Sequence, residues 1–104
     1  MIYWNKSEEA IVGKFLASEH NYVDRCILLN WHGKGSVLAE YDMLMEDEND
    51  FEMGDERYEE FWSFAFHGIE IKGNPPISVN HQKNFLINYH NFPDEILVDG
   101  KKIN

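Results

Sequence analysis

The chain has 104 residues, 43% of them hydrophobic, and nine Lys and Arg face nineteen Asp and Glu for a formal charge of −10. One domain over residues 1–104 suits that length, no run approaches the about 20 apolar residues of a membrane-spanning helix, and a chain this acidic lacks the cationic footprint for direct binding to DNA or RNA. No apolar stretch of about 7–15 residues follows Lys6, so no secretory signal is expected, and the lone Cys26 makes no internal disulfide, which fits a cytoplasmic setting.

Residues 1–4 read as a short strand or packed arm. Ser7 followed by Glu8 and Glu9 reads as a helix cap with acids in the first turn, where they complement the helix dipole. Ile11, Val12, Phe15 and Leu16 then share one face, so a helix is expected over residues 7–19, with His20 and Asn21 as its stop. Residues 24–31, rich in Ile, Leu and Trp, read as a strand in which Cys26 is a small buried residue. His32-Gly33-Lys34-Gly35 is a turn. Residues 36–45 follow with Val37, Ala39, Tyr41, Met43 and Met45 on one parity, which completes a hairpin.

Residues 55–71 carry two periods. Tyr58, Phe61, Trp62, Ala65, Phe66 and Ile69 fit a helix with Asp55 as its cap. Trp62, Phe64 and Phe66 alternate, and the composition is β-prone. The reading adopted is a short turn over 55–58 followed by a long strand, with a bulge at Gly68 that turns Ile69 and Ile71 inward. Residues 72–76 form a turn, because Gly73-Asn74-Pro75-Pro76 continues neither ladder nor helix. Residues 77–80 read as extended, 85–90 as a strand, and 96–98 with 101–103 as a terminal hairpin about Asp99-Gly100. The sum is a single α+β domain: an N-terminal helix packed on an antiparallel sheet of about four to six strands. Trp62, Phe64 and Phe66 are expected in its core, beneath Phe15 and Leu16.

The acids are unevenly placed. Residues 46–60 hold nine of them against Arg57 alone, a charge of −8, while the other 89 residues carry −2. A charge run of this kind is either a solvated face or a surface for a basic partner or a cation. Phe51, Met53, Tyr58, Phe61 and Trp62 lie within it, whereas a disordered acidic segment has few aromatics. Ring anchors beside carboxylates suit an inhibitory protein surface. The candidate partner-binding residues are therefore Asp47, Glu48, Asp50, Glu52, Asp55, Glu56, Glu59 and Glu60. The first four are expected to act as steering charges. The last four lie nearer the aromatic strand, and one or two of them are expected to be true contacts with an Arg or Lys of the partner.

Other chemistries fit poorly. An EF-hand needs acids at positions one, three and five and glycine at six. From Asp47 the fifth and sixth are Phe51 and Glu52, and from Asp50 the fifth is Gly54. No histidine pair has the spacing of a zinc helix, and Cys26 has no partner cysteine. His32 and Lys34 with His67 or His90 are the residue types of a metal-independent nuclease, but the net charge opposes an RNA substrate. Gly33 and Gly35 lack the rest of either nucleotide motif. No enzyme activity and no cofactor are expected.

Tyr58-Glu59-Glu60-Phe61-Trp62 after an acidic stretch, with Ile87-Asn88-Tyr89-His90-Asn91-Phe92-Pro93-Asp94-Glu95-Ile96 downstream, resembles small bacterial proteins encoded beside polymorphic toxins. The chain looks like an immunity protein of a contact-dependent growth inhibition system, over roughly residues 36–97. The resemblance implies a cytoplasmic protein that binds one cognate toxin domain, often a basic nuclease, and blocks its active site. An acidic interaction module or nucleic-acid mimic with a different basic partner is the alternative.

Overall fold

The structure, a computed structural model, describes residues 5–104. The strand or arm expected at residues 1–4 lies outside them.

Helix α1 spans Lys6–Ser18. Its cap is Asn5 rather than Ser7: the Asn5 Oδ1 accepts the Glu8 N–H at 2.7 Å and satisfies one of the free donors of the first turn. Glu8, Val12, Phe15 and Leu16 form the buried face. Ile11 sits at the rim of that stripe and is 46% exposed, so the expected face was rotated by part of a turn. A 3-10 turn at Glu19–Asn21 ends the helix.

Six strands follow: β1 (Cys26–Trp31), β2 (Gly35–Glu48), β3 (Glu60–Gly73), β4 (Asn84–Ile87), β5 (Glu95–Val98) and β6 (Lys101–Lys102). They form one sheet in the order β4-β3-β2-β1-β5-β6, and every neighbouring pair is antiparallel. The helix packs on one face, giving a single compact α+β domain. No helix among the described residues is long and apolar enough to cross a membrane.

The β2–β3 ladder decides the faces. It runs from Gly35↔Gly73 to Glu48↔Glu60 with two register shifts, one between Leu38 and Ala39 and one between Tyr41 and Met43. The second inserts Asp42 as an extra residue and flips the parity beyond it. Val37, Ala39 and Tyr41 are buried as expected, but Met43 and Met45 are 51% and 38% exposed, and Leu44 packs against the core instead. The first shift places the bulge at Ile69. It does not bury Ile69 or Ile71, which are both exposed. Gly35 closes the other end of the ladder at φ +155, where an added Cβ would meet the Lys72 carbonyl oxygen at 2.3 Å. Only glycine lets the two strands approach there.

Residues 55–71 resolve as a turn and a strand, so the alternation outranked the helical period. Strand β4 stops at Ile87, short of the expected 90. The Asn88 N–H bonds the Asn91 side chain at 2.7 Å and the His90 N–H bonds the Asn88 side chain at 2.8 Å. These local bonds take donors a ladder would use. Residues 77–80 form no strand.

Phe15 is the centre of the core. Its ring lies 5.0 Å from Phe64, 5.5 Å from Tyr41 and 6.3 Å from Phe92. Phe66 stacks on Phe85 at 5.6 Å. Phe64 and Phe66 are buried and Trp62 is half-buried against them. Cys26 is exposed, not buried, because it shares the outward parity of β1 with Leu28 and Asn30.

Truncating Phe15 to Ala is expected to cost about 3–5 kcal/mol, the usual figure for a buried ring. Ile11→Ala should stay within about 0.5 kcal/mol, as for surface changes. Paired urea melts check this, and equal losses in the two variants would place Ile11 on the buried face after all.

Candidate functional site

Strands β2 and β3 outrun their neighbours. Strand β1 leaves β2 at the pair Cys26↔Glu40, and β4 meets β3 only over Asn84–Ile87. Beyond them the two strands continue as a two-stranded arm, closed by a loop over residues 49–59. The acidic tract is the end of this arm.

Asn49 fixes the loop. Its N–H donates to the Glu59 carbonyl at 3.1 Å, its side-chain amide donates to the Arg57 carbonyl at 2.7 Å, and its side-chain oxygen accepts the Glu59 N–H at 3.2 Å. Such an arrangement mimics a further rung of ladder with one side chain. Asp55 takes the Arg57 guanidinium in two bonds, at 3.1 and 2.9 Å, and the Arg57 N–H at 2.8 Å. These bonds hold the Asp55 carboxyl below its ordinary range. The same guanidinium lies 4.2 Å over the Phe51 ring.

The remaining tied acids are held by neutral donors or by histidine. The Tyr58 hydroxyl lies 2.5 Å from Glu48 Oε2 and 2.9 Å from Glu60 Oε1, so one proton serves two carboxylates across the strand pair. The bonds to Glu48 and then Glu60 push the Tyr58 pKa up. Glu59 accepts the Tyr89 hydroxyl at 2.5 Å and meets His90 Nε2 at 2.6 Å. Burial works to raise the Glu59 pKa, but the bonds from Tyr89 and His90, with the His90 charge, outweigh it and lower the value. His90 in turn packs edge-on against Phe61, with ring centroids 5.8 Å apart. The Ser63 hydroxyl donates to Asp47 at 2.8 Å.

The eight predicted residues therefore divide differently from the sequence expectation. Asp47, Glu48, Asp55, Glu59 and Glu60 are tied to named partners. Asp50, Glu52 and Glu56 are exposed and make no side-chain hydrogen bond or ion pair among the described residues, and the same is true of Glu46. A shallow concavity is lined by Glu46, Asp47, Glu48 and Glu60. No group of three His, Cys, Asp or Glu among the described residues is arranged to hold a metal ion. The sequence reading did not find Asn49, Ser63, Tyr89 or His90 as parts of this site. Tyr89 and His90 lie about thirty residues downstream, and no spacing rule links them to Glu59.

The histidines raised as nuclease residues have separate partners. His32 Nε2 meets Glu95 at 3.0 Å, His67 Nδ1 meets Asn84 at 3.0 Å, and His90 meets Glu59. Neither a protein-family model, nor a curated protein, nor a solved structure matches this chain.

The lowered Glu59 pKa makes the arm pH-sensitive in a definite direction. A carboxyl whose folded pKa lies below its ordinary 4.5 contributes stability above that value and loses it as pH falls through the folded pKa. Glu59→Gln should be less stable at neutral pH and should lose stability less steeply through the carboxylate range. Urea midpoints measured stepwise from neutral to acid pH test this; identical slopes would show that Glu59 is not a linked group.

Proposed function

We propose that this chain is a cytoplasmic inhibitor of the immunity type. It binds a cognate basic toxin domain, typically a nuclease, and occludes its active site without catalysing any reaction itself. One observation carries this reading: a charge of −8 concentrated at the end of a two-stranded arm that is tied by side-chain hydrogen bonds, yet keeps Glu46, Asp50, Glu52 and Glu56 free of side-chain partners among the described residues. A nuclease cleft is positive because it binds phosphates. Carboxylates displayed on a fixed arm can occupy that cleft as a polyanion. Charge of this kind steers encounter, with rates up to about 10⁸–10⁹ M⁻¹s⁻¹ at low salt. The sequence resemblance in residues 36–97 points the same way.

The roles follow the geometry. The four free acids are steering and contact charges. The tied acids Asp47, Glu48, Asp55, Glu59 and Glu60 set the shape of the arm, and each keeps at least part of its charge toward the partner. Phe51 and Met53, exposed beside them, supply apolar anchors.

The first test is co-purification of the full chain from its native operon. A basic toxin domain is the expected companion, and a basic companion without toxic activity would place the chain among other acidic interaction modules. The second test uses that companion in stopped-flow association. Changing Glu46, Asp50, Glu52 and Glu56 together to Gln or Asn should slow association at low salt by about tenfold or more and flatten its salt dependence. Stability should stay nearly unchanged, because none of the four has a side-chain partner among the described residues. Unaltered kinetics at both salts, with protection in cells intact, would make the acids ordinary surface.

A further inference from the structure

Among the described residues, no strand pairs with one edge of the arm. Strand β1 pairs with β2 up to Glu40, and the Tyr41 N–H and C=O are taken by Arg25 and Asp24. There Asp24, at φ +64, turns the preceding chain away. From Asp42 to Glu48 no strand among the described residues lies on that side of β2. The segment is seven residues long. The sheet's two outer strands, by contrast, are short: four residues in β4 and two in β6. Short outer strands are a usual protection against unwanted pairing. The longest open edge therefore lies inside the topology, at the root of the acidic loop.

The side chains along this edge are unusual for a surface meant to stay bare. Met43 and Met45 are exposed on the open face, and Leu44 is half-buried on the helix face. Asp42, Glu46, Asp47 and Glu48 flank them, and the segment has no base. Acids on an edge repel a like edge, so a second copy is a poor occupant: antiparallel pairing of two copies in full register would set Asp42 against Glu48 at both ends and gather eight acids with no base on one pair of strands. The same charges favour a cationic strand.

We propose that residues 42–48 of β2 are a strand-addition site, which takes an extended partner segment bearing Lys or Arg among apolar residues. Main-chain bonds to the open edge give the affinity, and side chains of alternate parity give the selection. One parity of the added strand lies beside Met43, Met45 and Asp47. The other lies beside Leu44, Glu46 and Glu48. An apolar residue near the methionines and cations toward Glu46, Asp47 and Glu48 match both rows. The inference rests on the reading of the acidic arm as the partner-binding element, and it adds a backbone ladder to what charge alone would do.

The test uses the isotope-labelled full chain and a capped seven-residue peptide of alternating Val and Lys. A second peptide of identical sequence and charge is N-methylated at its fourth and fifth residues, so that each of its edges loses a donor. The unmethylated peptide should shift the amide resonances of residues 42–48 and slow their hydrogen exchange by at least about tenfold. The methylated peptide should bind at least about tenfold more weakly. Equal binding by both peptides would overturn the strand-addition site while leaving the acidic arm as a purely electrostatic surface. Shifts confined to residues 49–59, or no binding by either peptide at millimolar concentration, would overturn it as well. So would concentration-dependent self-association that protects the same amides. Failure of the co-purified toxin to bind would instead overturn the inhibitor reading and leave the peptide result standing.

Discussion

The extra residue at Asp42 governs the character of the long hairpin. A strand with strict alternation would have continued Val37, Ala39 and Tyr41 into Met43 and Met45 and buried both. The bulge reverses the parity, brings Leu44 opposite Phe64, and sends the two methionines outward. Bulges bend a strand and end or redirect its pairing. Here the ladder with β3 survives the shift and continues to Glu48↔Glu60, while the pairing with β1 ends just before it. The molecule thus gains an arm anchored by the core at one end and open along one edge at the other.

Concentrated negative charge on such an arm opposes its own order, since like charges close together repel. The structure offsets this mainly with groups that bring no full positive charge. Tyr58 sits between Glu48 and Glu60, Tyr89 caps Glu59, and Ser63 caps Asp47. Hydrogen bonds to ionised groups are worth more than neutral ones, so hydroxyl donors hold the carboxylates in place and leave their charge. Among the described residues, Arg57 alone neutralises an acid of the tract with a permanent cation, and it binds Asp55 and Phe51 within the loop rather than any of the four free acids. The same tract can therefore be both ordered and strongly negative.

Much of the fold was legible because its signals were local. The helix, the His32–Gly35 turn, the long aromatic strand and the terminal hairpin each follow from a period or a turn dipeptide. Most of the errors share a cause. Cys26 proved exposed and Met43 and Met45 turned outward through relations that extend beyond their local patterns, whereas Asn5 displaced Ser7 as the cap through a local bond to the Glu8 N–H. The bulge at Asp42 leaves no mark in the alternation of β2, and the exposure of Cys26 depends on the face of the sheet that no helix covers. In the site, the position and charge of the acids were readable from residues 46–60. Their division into tied and free was not, because the ties come from Tyr89 and His90 in another part of the chain and from Asn49, whose type alone does not mark it as a loop hub.

Glu8 joins these two halves of the molecule. It belongs to the first turn of α1, is fully buried, and receives the Trp62 N–H at 2.7 Å. An ionised carboxylate is costly to bury unless it is well bonded. Its own backbone N–H is capped by Asn5, and the helix N-terminus favours negative charge. Trp62 stands on β3 opposite Glu46, at the point where the strand leaves β4 and enters the arm. The bond from Trp62 thus ties the β3 backbone, just beyond its ladder with β4, to an acceptor on the helix. The helix therefore does more than cover Phe64 through Phe15. Through Glu8 it fixes the base of the acidic hairpin against the core, so that the charges at its end are presented from a fixed root.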